Sequence, residues 1–296
     1  MITLRHHLLT VVAVFLALAA GIVLGGGPLS DVGDRVNASS DRPTTQEPAA
    51  DPGAAYADSF AAAVGPSVLA GRLAERQVAL VTLPGADEQI VTALTEQVGA
   101  AGGSVSGRYP LGDDMVDPTQ KSLVDTLGSQ LMTQQAGKDV PAEATTYDRM
   151  GQLLGLALAT KELDGVDVNG KARAITEAIS GAGLMAPPGE VGRRAPLVLV
   201  VLGTDASDEG SDAVIAGLLS GLAAQGTGVV VAGTAADGAG QLGRFRADPA
   251  AASVATVDGT DTAAGRVATV ATLVRSLTTP GGAFGASGAD GPVPLG

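Results

Sequence analysis

Cysteine is absent from the 296 residues, so disulfides, thiolate metal sites, iron–sulfur clusters and cysteine nucleophiles are excluded together. Tryptophan is absent too, and three Tyr and four Phe leave no aromatic set on which nucleic-acid bases would stack. Positive charge is scarce: 18 Lys and Arg stand against 31 Asp and Glu, a net charge of −13 at pH 7. Such a chain, with no basic stripe, repels a phosphate backbone, and nucleic acid is excluded as a partner. Histidine occurs only as the neighbours His6 and His7, which argues against a His-based catalytic triad. No nucleophile–base pair or metal triad emerges elsewhere, so the chain reads as a non-enzyme with no cofactor.

What is present begins at the amino terminus. After Arg5, His6 and His7, an uncharged run extends from Leu8 to Gly27. At 1.5 Å per residue its twenty residues span about 30 Å of hydrocarbon. Val11, Phe15, Leu18, Ile22 and Leu24 are apolar all round the helix, unlike an amphipathic surface helix. Arg5 precedes the run and Asp31 and Asp34 follow it, which keeps residues 1–7 cytoplasmic and sends the remainder across the membrane. A cleaved leader is the competing reading, because Ala17-Leu18-Ala19 has the form of a processing site. The apolar character continues beyond that site through Ile22-Val23-Leu24 and favours an uncleaved anchor. Both readings put the body of the chain outside the cytoplasm. Gly21 and Gly25 form a G-x-x-x-G spacing that permits close contact between two spans and so a homo-oligomer.

The segment Met1-Ile-Thr-Leu-Arg5-His6-His7, followed by Val14-Phe-Leu-Ala-Leu-Ala-Ala-Gly-Ile-Val-Leu-Gly25 and Leu29-Ser30-Asp31, resembles the start of the actinobacterial copper-transport protein B (MctB-like) family. The likeness is specific over about the first 30 residues and looser afterwards, where it rests on a strand and helix from Gln77 and a strand at Leu197. The resemblance implies a role in copper homeostasis, with a mycobacterial member described as an envelope channel and a corynebacterial branch linked to septal wall processing. It supplies no ligand residues.

Beyond the span, residues 28–55 are rich in Ser, Pro, Asp and Ala and read as a flexible tether without heptads. A modest helix is expected over 56–75, interrupted near Gly65-Pro66. Val78–Leu83 and Leu197–Leu202 are continuous apolar runs, as in strands of a sheet covered on both faces, and Gly228–Ala232 and Ser253–Val257 are further strands. Ser104–Tyr109 alternates and suits a sheet edge. Helical spacing joins Ile90, Val91, Leu94 and Val98; Leu123, Val124, Leu127 and Leu131; Met150, Leu153, Leu154, Ala157 and Leu158. It also joins Ala172, Ile175 and Ile179; Val214, Ile215, Leu218, Leu219 and Leu222; and Val267, Val270, Ala271, Val274 and Leu277. The alternation predicts an α/β domain over 56–279, a Rossmann-like, mostly parallel sheet flanked by helices. A Gly/Pro-rich tail at 280–296 is expected to be disordered.

Three residue groups invite a chemical reading. Gly238-Ala-Gly240-Gln-Leu-Gly243 matches the dinucleotide fingerprint, with Asp258 following at a strand end. With 42 glycines in the chain about one such match arises by chance, and the preceding strand ends too early, so a glycine-rich turn into a helix is the better reading. Asp205, Asp208, Glu209 and Asp212 follow the strongest strand, where they suit a hard cation less well than the capping of a helix N-terminus. Copper demands thioethers or imidazoles. Met115, Met132, Met150 and Met185 are spaced for core packing, which leaves His6 and His7 as the only candidate metal ligands, on the cytoplasmic side. The expectation is an envelope protein with a membrane anchor and an extracytoplasmic domain, serving copper homeostasis or transport with copper as transported ion. The alternatives are an envelope scaffold that recruits other envelope proteins for septation or wall remodelling, and a domain that binds a small polar solute at the sheet's switch point.

Overall fold

The computed structural model describes residues 52–294. The span at 8–27 with Gly21 and Gly25, the pair His6 and His7, and most of the tether lie outside the described residues. Among the described residues no helix is long and apolar enough to cross a membrane.

Helix α1 covers Pro52–Leu69 and leads to strand β1, Gln77–Thr82. Helix α2 (Glu88–Ala100) and strand β2 (Ser104–Pro110) follow. A single turn α3 (Asp113–Val116) precedes α4 (Lys121–Leu131), α5 (Thr146–Leu158), the two-residue strand β3 (Val166–Asp167) and α6 (Gly170–Gly181). A second short strand β4 (Arg193–Arg194) pairs antiparallel with β3, and then come β5 (Leu197–Val201) and α7 (Glu209–Gln225). Strand β6 (Gly228–Ala232), the short helices α8 (Ala235–Ala239) and α9 (Gln241–Arg246), strand β7 (Ala255–Asp258), helix α10 (Ala263–Ser276) and strand β8 (Ala283–Gly285) complete the order.

Six strands form one sheet in the order β2-β1-β5-β6-β7-β8, and every pairing in it is parallel. The expected α/β architecture is therefore present. The apolar runs are explained by two-sided burial. Ala79, Val81, Val198, Val200, Val229 and Val231 enter a core with α4, α5, α6, α7 and α9. Val78, Leu80, Leu197, Leu199, Val201 and Val230 face a second core with α2 and α10, closed by Leu69 at the end of α1. Strand β2 is at the edge, in keeping with its alternation.

The tightest helix pairing, α5 against α7, depends on missing side chains. Across the seam Gly151 of α5 lies against Leu218 of α7, Gly155 against Leu222 and Gln225, and Gly221 of α7 against Asp148, Gly151 and Gln152, while a Cβ at Gly217 would lie 2.8 Å from that of Tyr147. Each helix thus carries a G-x-x-x-G spacing, and the backbones approach until carbonyl oxygens occupy the room that methyl groups would need.

Several boundaries differ from expectation. Helix α1 starts at Pro52, inside the segment read as tether, and runs through Pro66 instead of breaking there, ending at Leu69. Proline removes one helical hydrogen bond, and packing outweighs that loss: Gly65 and Leu69 are buried, with Gly65 directly against Val267 of α10. Asp58 also accepts from the Ala263 N–H at the start of α10. Strand β7 begins at Ala255 rather than Ser253, because Asp248 caps a 3₁₀ turn over Pro249–Ser253. Leu123 is exposed although it falls in the apolar spacing of α4.

The tail expected to be disordered holds the edge strand β8, with Thr256, Val257 and Asp258 opposite Ala283, Phe284 and Gly285. Its glycines serve conformation: Gly281, Gly282 and Gly285 have φ of 68°, 107° and 102°, which lets the chain turn back and bury Phe284.

Candidate functional site

The chain runs from β1 to β2 on one side, then crosses back to β5 on the other, so the order of the sheet reverses between β1 and β5. In open parallel sheets, ligands bind outside the carboxyl ends of the strands at such a point. Here the loops after β1 and β5 touch: the Thr204 N–H donates to the Pro84 carbonyl at 2.9 Å. That approach requires Gly85, at φ 79°, and Gly203, whose missing Cβ makes room for Pro84. Beside the clamp opens a crevice of about 640 Å³, walled by the two loops, the segment Asp113–Thr119 and the start of α7. Leu83, Val116, Pro118 and Ile215 supply its apolar lining, and Asp113, Asp117, Asp208 and Gln241 its polar one.

The carboxylates after β5 have defined partners. Asp208 caps α7, accepting from the Ser211 N–H at 2.9 Å and hydroxyl at 2.8 Å, and these bonds hold its carboxyl below the usual range. Asp205 and Asp212 both take hydrogen bonds from Arg244 of α9, at 2.6 Å each. The Arg244 guanidinium holds Asp205 below the ordinary aspartate range, and the two carboxylates in turn raise Arg244. The cluster is thus a helix cap plus a carboxylate pair around an internal cation, and Glu209 marks the first residue of α7. Replacing Arg244 with Gln is expected to return the Asp205 titration towards the ordinary aspartate value. Carboxyl-carbon NMR titration measures this. A folded-state carboxyl held low contributes stability above its unfolded value and loses it as pH falls, and that acid-side contribution should shrink in the variant.

The glycine fingerprint belongs to a helix junction. Gly238 lies in α8 and Gly243 in α9, with Gly240 between them, well after the end of β6. Their missing Cβ atoms let the two short helices and Asp258 close together: a Cβ at Gly238 would stand 2.5 Å from an Asp258 oxygen. Asp258 is fully buried and already engaged, accepting from Arg246 at 2.8 Å and from the Ser287 N–H at 2.9 Å. It is not free to hold a ribose. Arg246 also donates to Thr256, Ser287 and the Phe284 carbonyl, so one guanidinium fastens α9 to β7 and β8.

Met115, Met150 and Met185 are buried in the core against α4–α7, with Met132 packed on its margin, in agreement with their spacing. Among the described residues no three His, Cys, Asp or Glu side chains gather as a metal cage.

A second cavity, of about 790 Å³, lies between α6, the loop 187–192 and Tyr109 of β2. Tyr109 is 2 % exposed, and burial pushes its phenol up to about 12. In the unfolded chain the phenol ionises near 10. Folded stability is then full below pH 10 and falls as the pH rises towards 12, by about 2–3 kcal/mol from this group. Denaturant unfolding at pH 9 and pH 11.5 is expected to show that loss in the parent, and a smaller one in Tyr109→Phe.

Sequence reasoning missed Gln241 and Arg244, which reach their positions only because α8 and α9 fold back across the strand ends. The sole local signal is the basic pair Arg244 and Arg246 in an acidic chain.

The profile of the family described as "Copper transport outer membrane protein, MctB" matches residues 1–294. Proteins named "Copper transporter MctB" from Mycobacterium tuberculosis and Mycobacterium bovis are each 29 % identical over 297 residues, covering 92 % of this chain and 92 % of their own length. The protein of that name from Mycobacterium leprae is 27 % identical over 301 residues, covering 91 % of both. With a match along nearly its whole length, the chain belongs to the MctB family.

Proposed function

We propose that this chain serves copper-ion homeostasis and transport across the cell envelope, its α/β domain held outside the cytoplasm by the span Leu8–Gly27. The observation that carries this reading is the family match over residues 1–294, which takes in the hydrophobic segment and tether as well as the sheet domain. The twenty uncharged residues and the flanking Arg5 and Asp31 support the anchor and its orientation. Copper is cargo in this reading, since the described thioethers are occupied in packing. His6 and His7 offer imidazoles on the cytoplasmic side, and Gly21 and Gly25 support pairing of spans in the bilayer.

The second reading, a non-enzymatic envelope scaffold recruiting partners for septation or wall remodelling, draws on α1. Tyr56 and Phe60 stand 73 % and 58 % exposed on its outer face. Cellular metal content and growth in copper separate the two. A strain lacking the gene is expected to hold more copper and to become copper-sensitive. Unchanged copper with chained or misdivided cells would support the scaffold instead.

A further inference from the structure

We propose that the cleft between the end of α1, helix α10 and the turn around β8 binds a single acyl chain that carries an anionic head. The cleft measures about 840 Å³, within the range of roughly 300–1,000 Å³ in which small molecules are held. Val68, Val267, Ala271, Val274, Leu277 and Val293 line its apolar part. The last five are only partly covered by the second core, and Val68 is 53 % exposed. Contiguous apolar surface left open to water in this way marks a place where an apolar group binds.

The charge at the margin selects the head. Arg72 and Arg275 both line the cleft. Arg76, Arg244 and Arg246 show the usual arrangement in this acidic chain, each holding at least one aspartate. Arg72 and Arg275 hold none among the described residues. The Arg275 guanidinium is nevertheless fixed in place: it stands 5.2 Å from the centre of the Phe284 ring, and its Nη1 donates to the Gly281 carbonyl at 2.6 Å. Its Nη2 donates to no described residue and is left for an incoming acceptor. Asp290 is the one carboxylate among the described lining residues, and it is tied to β8 by accepting from the Ala283 N–H at 2.8 Å. Two guanidiniums against one engaged carboxylate make a positive spot on a chain of net charge −13. A cationic amphiphile meets like charge there, and a neutral one leaves the arginines unanswered. The described lining holds no Met or His, so this site is separate from any copper role.

Calorimetric titration of the full chain in phosphatidylcholine nanodiscs with octanoate tests the assignment, the heat of empty nanodiscs being subtracted. The expected result is saturable one-to-one binding of octanoate and none of octyltrimethylammonium. Butanoate should bind at least tenfold more weakly than octanoate, because four buried methylenes are lost. Arg72→Gln, at an exposed residue that makes no ion pair and so leaves the fold intact, should weaken octanoate binding at least threefold. Val68→Glu, also at an exposed position, should weaken it at least tenfold by setting like charge beside the acyl chain. Absence of saturable heat, equal binding of octyltrimethylammonium, or unchanged affinity in either variant would overturn the proposal.

Discussion

Gly221→Ala is expected to destabilise the domain by about 2–3 kcal/mol, although alanine is the better helix former by about 1 kcal/mol. A Cβ at Gly221 would overlap the Asp148 carbonyl oxygen and stand 2.5 Å from the Gln152 nitrogen, both backbone atoms that cannot swing aside. The helices must then separate, and α5 and α7 share the largest helix interface in the domain. Overpacking therefore outweighs propensity. Gly99→Ala in α2 is the matched control, because nothing lies within 4 Å of its Cβ position. It should leave stability unchanged or raise it by up to about 1 kcal/mol. Urea unfolding of the two variants checks the contrast, and equal stabilities would contradict the close-packed α5–α7 seam.

Asp258→Ala is the second large effect, with an expected cost of about 3–5 kcal/mol. The side chain of Arg246 is 13 % exposed and that of Asp258 fully buried, so removing the carboxylate leaves a guanidinium desolvated beside no counter-charge. The Ser287 N–H loses its acceptor in the same step. Because Arg246 also holds the Phe284 carbonyl, the loss should concentrate at the sheet edge. Hydrogen exchange is expected to speed up first in β8, ahead of β5 and β6. Uniform acceleration across the sheet would contradict a local staple.

These two sites also show what is legible in the sequence. Runs such as Leu197–Val201 declare buried parallel strands because burial on both faces leaves no position for a polar residue. Helices with a single apolar stripe, such as Ile175 and Ile179 of α6, are equally plain. Strand β8 is hidden: its three residues carry one large apolar side chain among glycines, and glycine signals a strained turn and a loose tail alike. The G-x-x-x-G spacing stands out at Gly21 and Gly25, but the same spacing at Gly151–Gly155 and Gly217–Gly221 packs the α/β domain. Spacing reveals that a close approach is allowed; only the fold reveals the partner. The candidate site is legible as an acidic loop, since Asp205, Asp208 and Asp212 lie together in the chain. Its counterparts Arg244 and Gln241 are some thirty residues away and are brought in by tertiary structure.

Copper content of cells that lack the gene, complemented either with the full chain or with a chain missing residues 8–27, tests the central claim most directly. Raised copper is expected in the deletion strain, with return to the parental level on complementation by the full chain and no return with the chain that lacks the span. Parental copper levels in the deletion strain would contradict a role in copper transport.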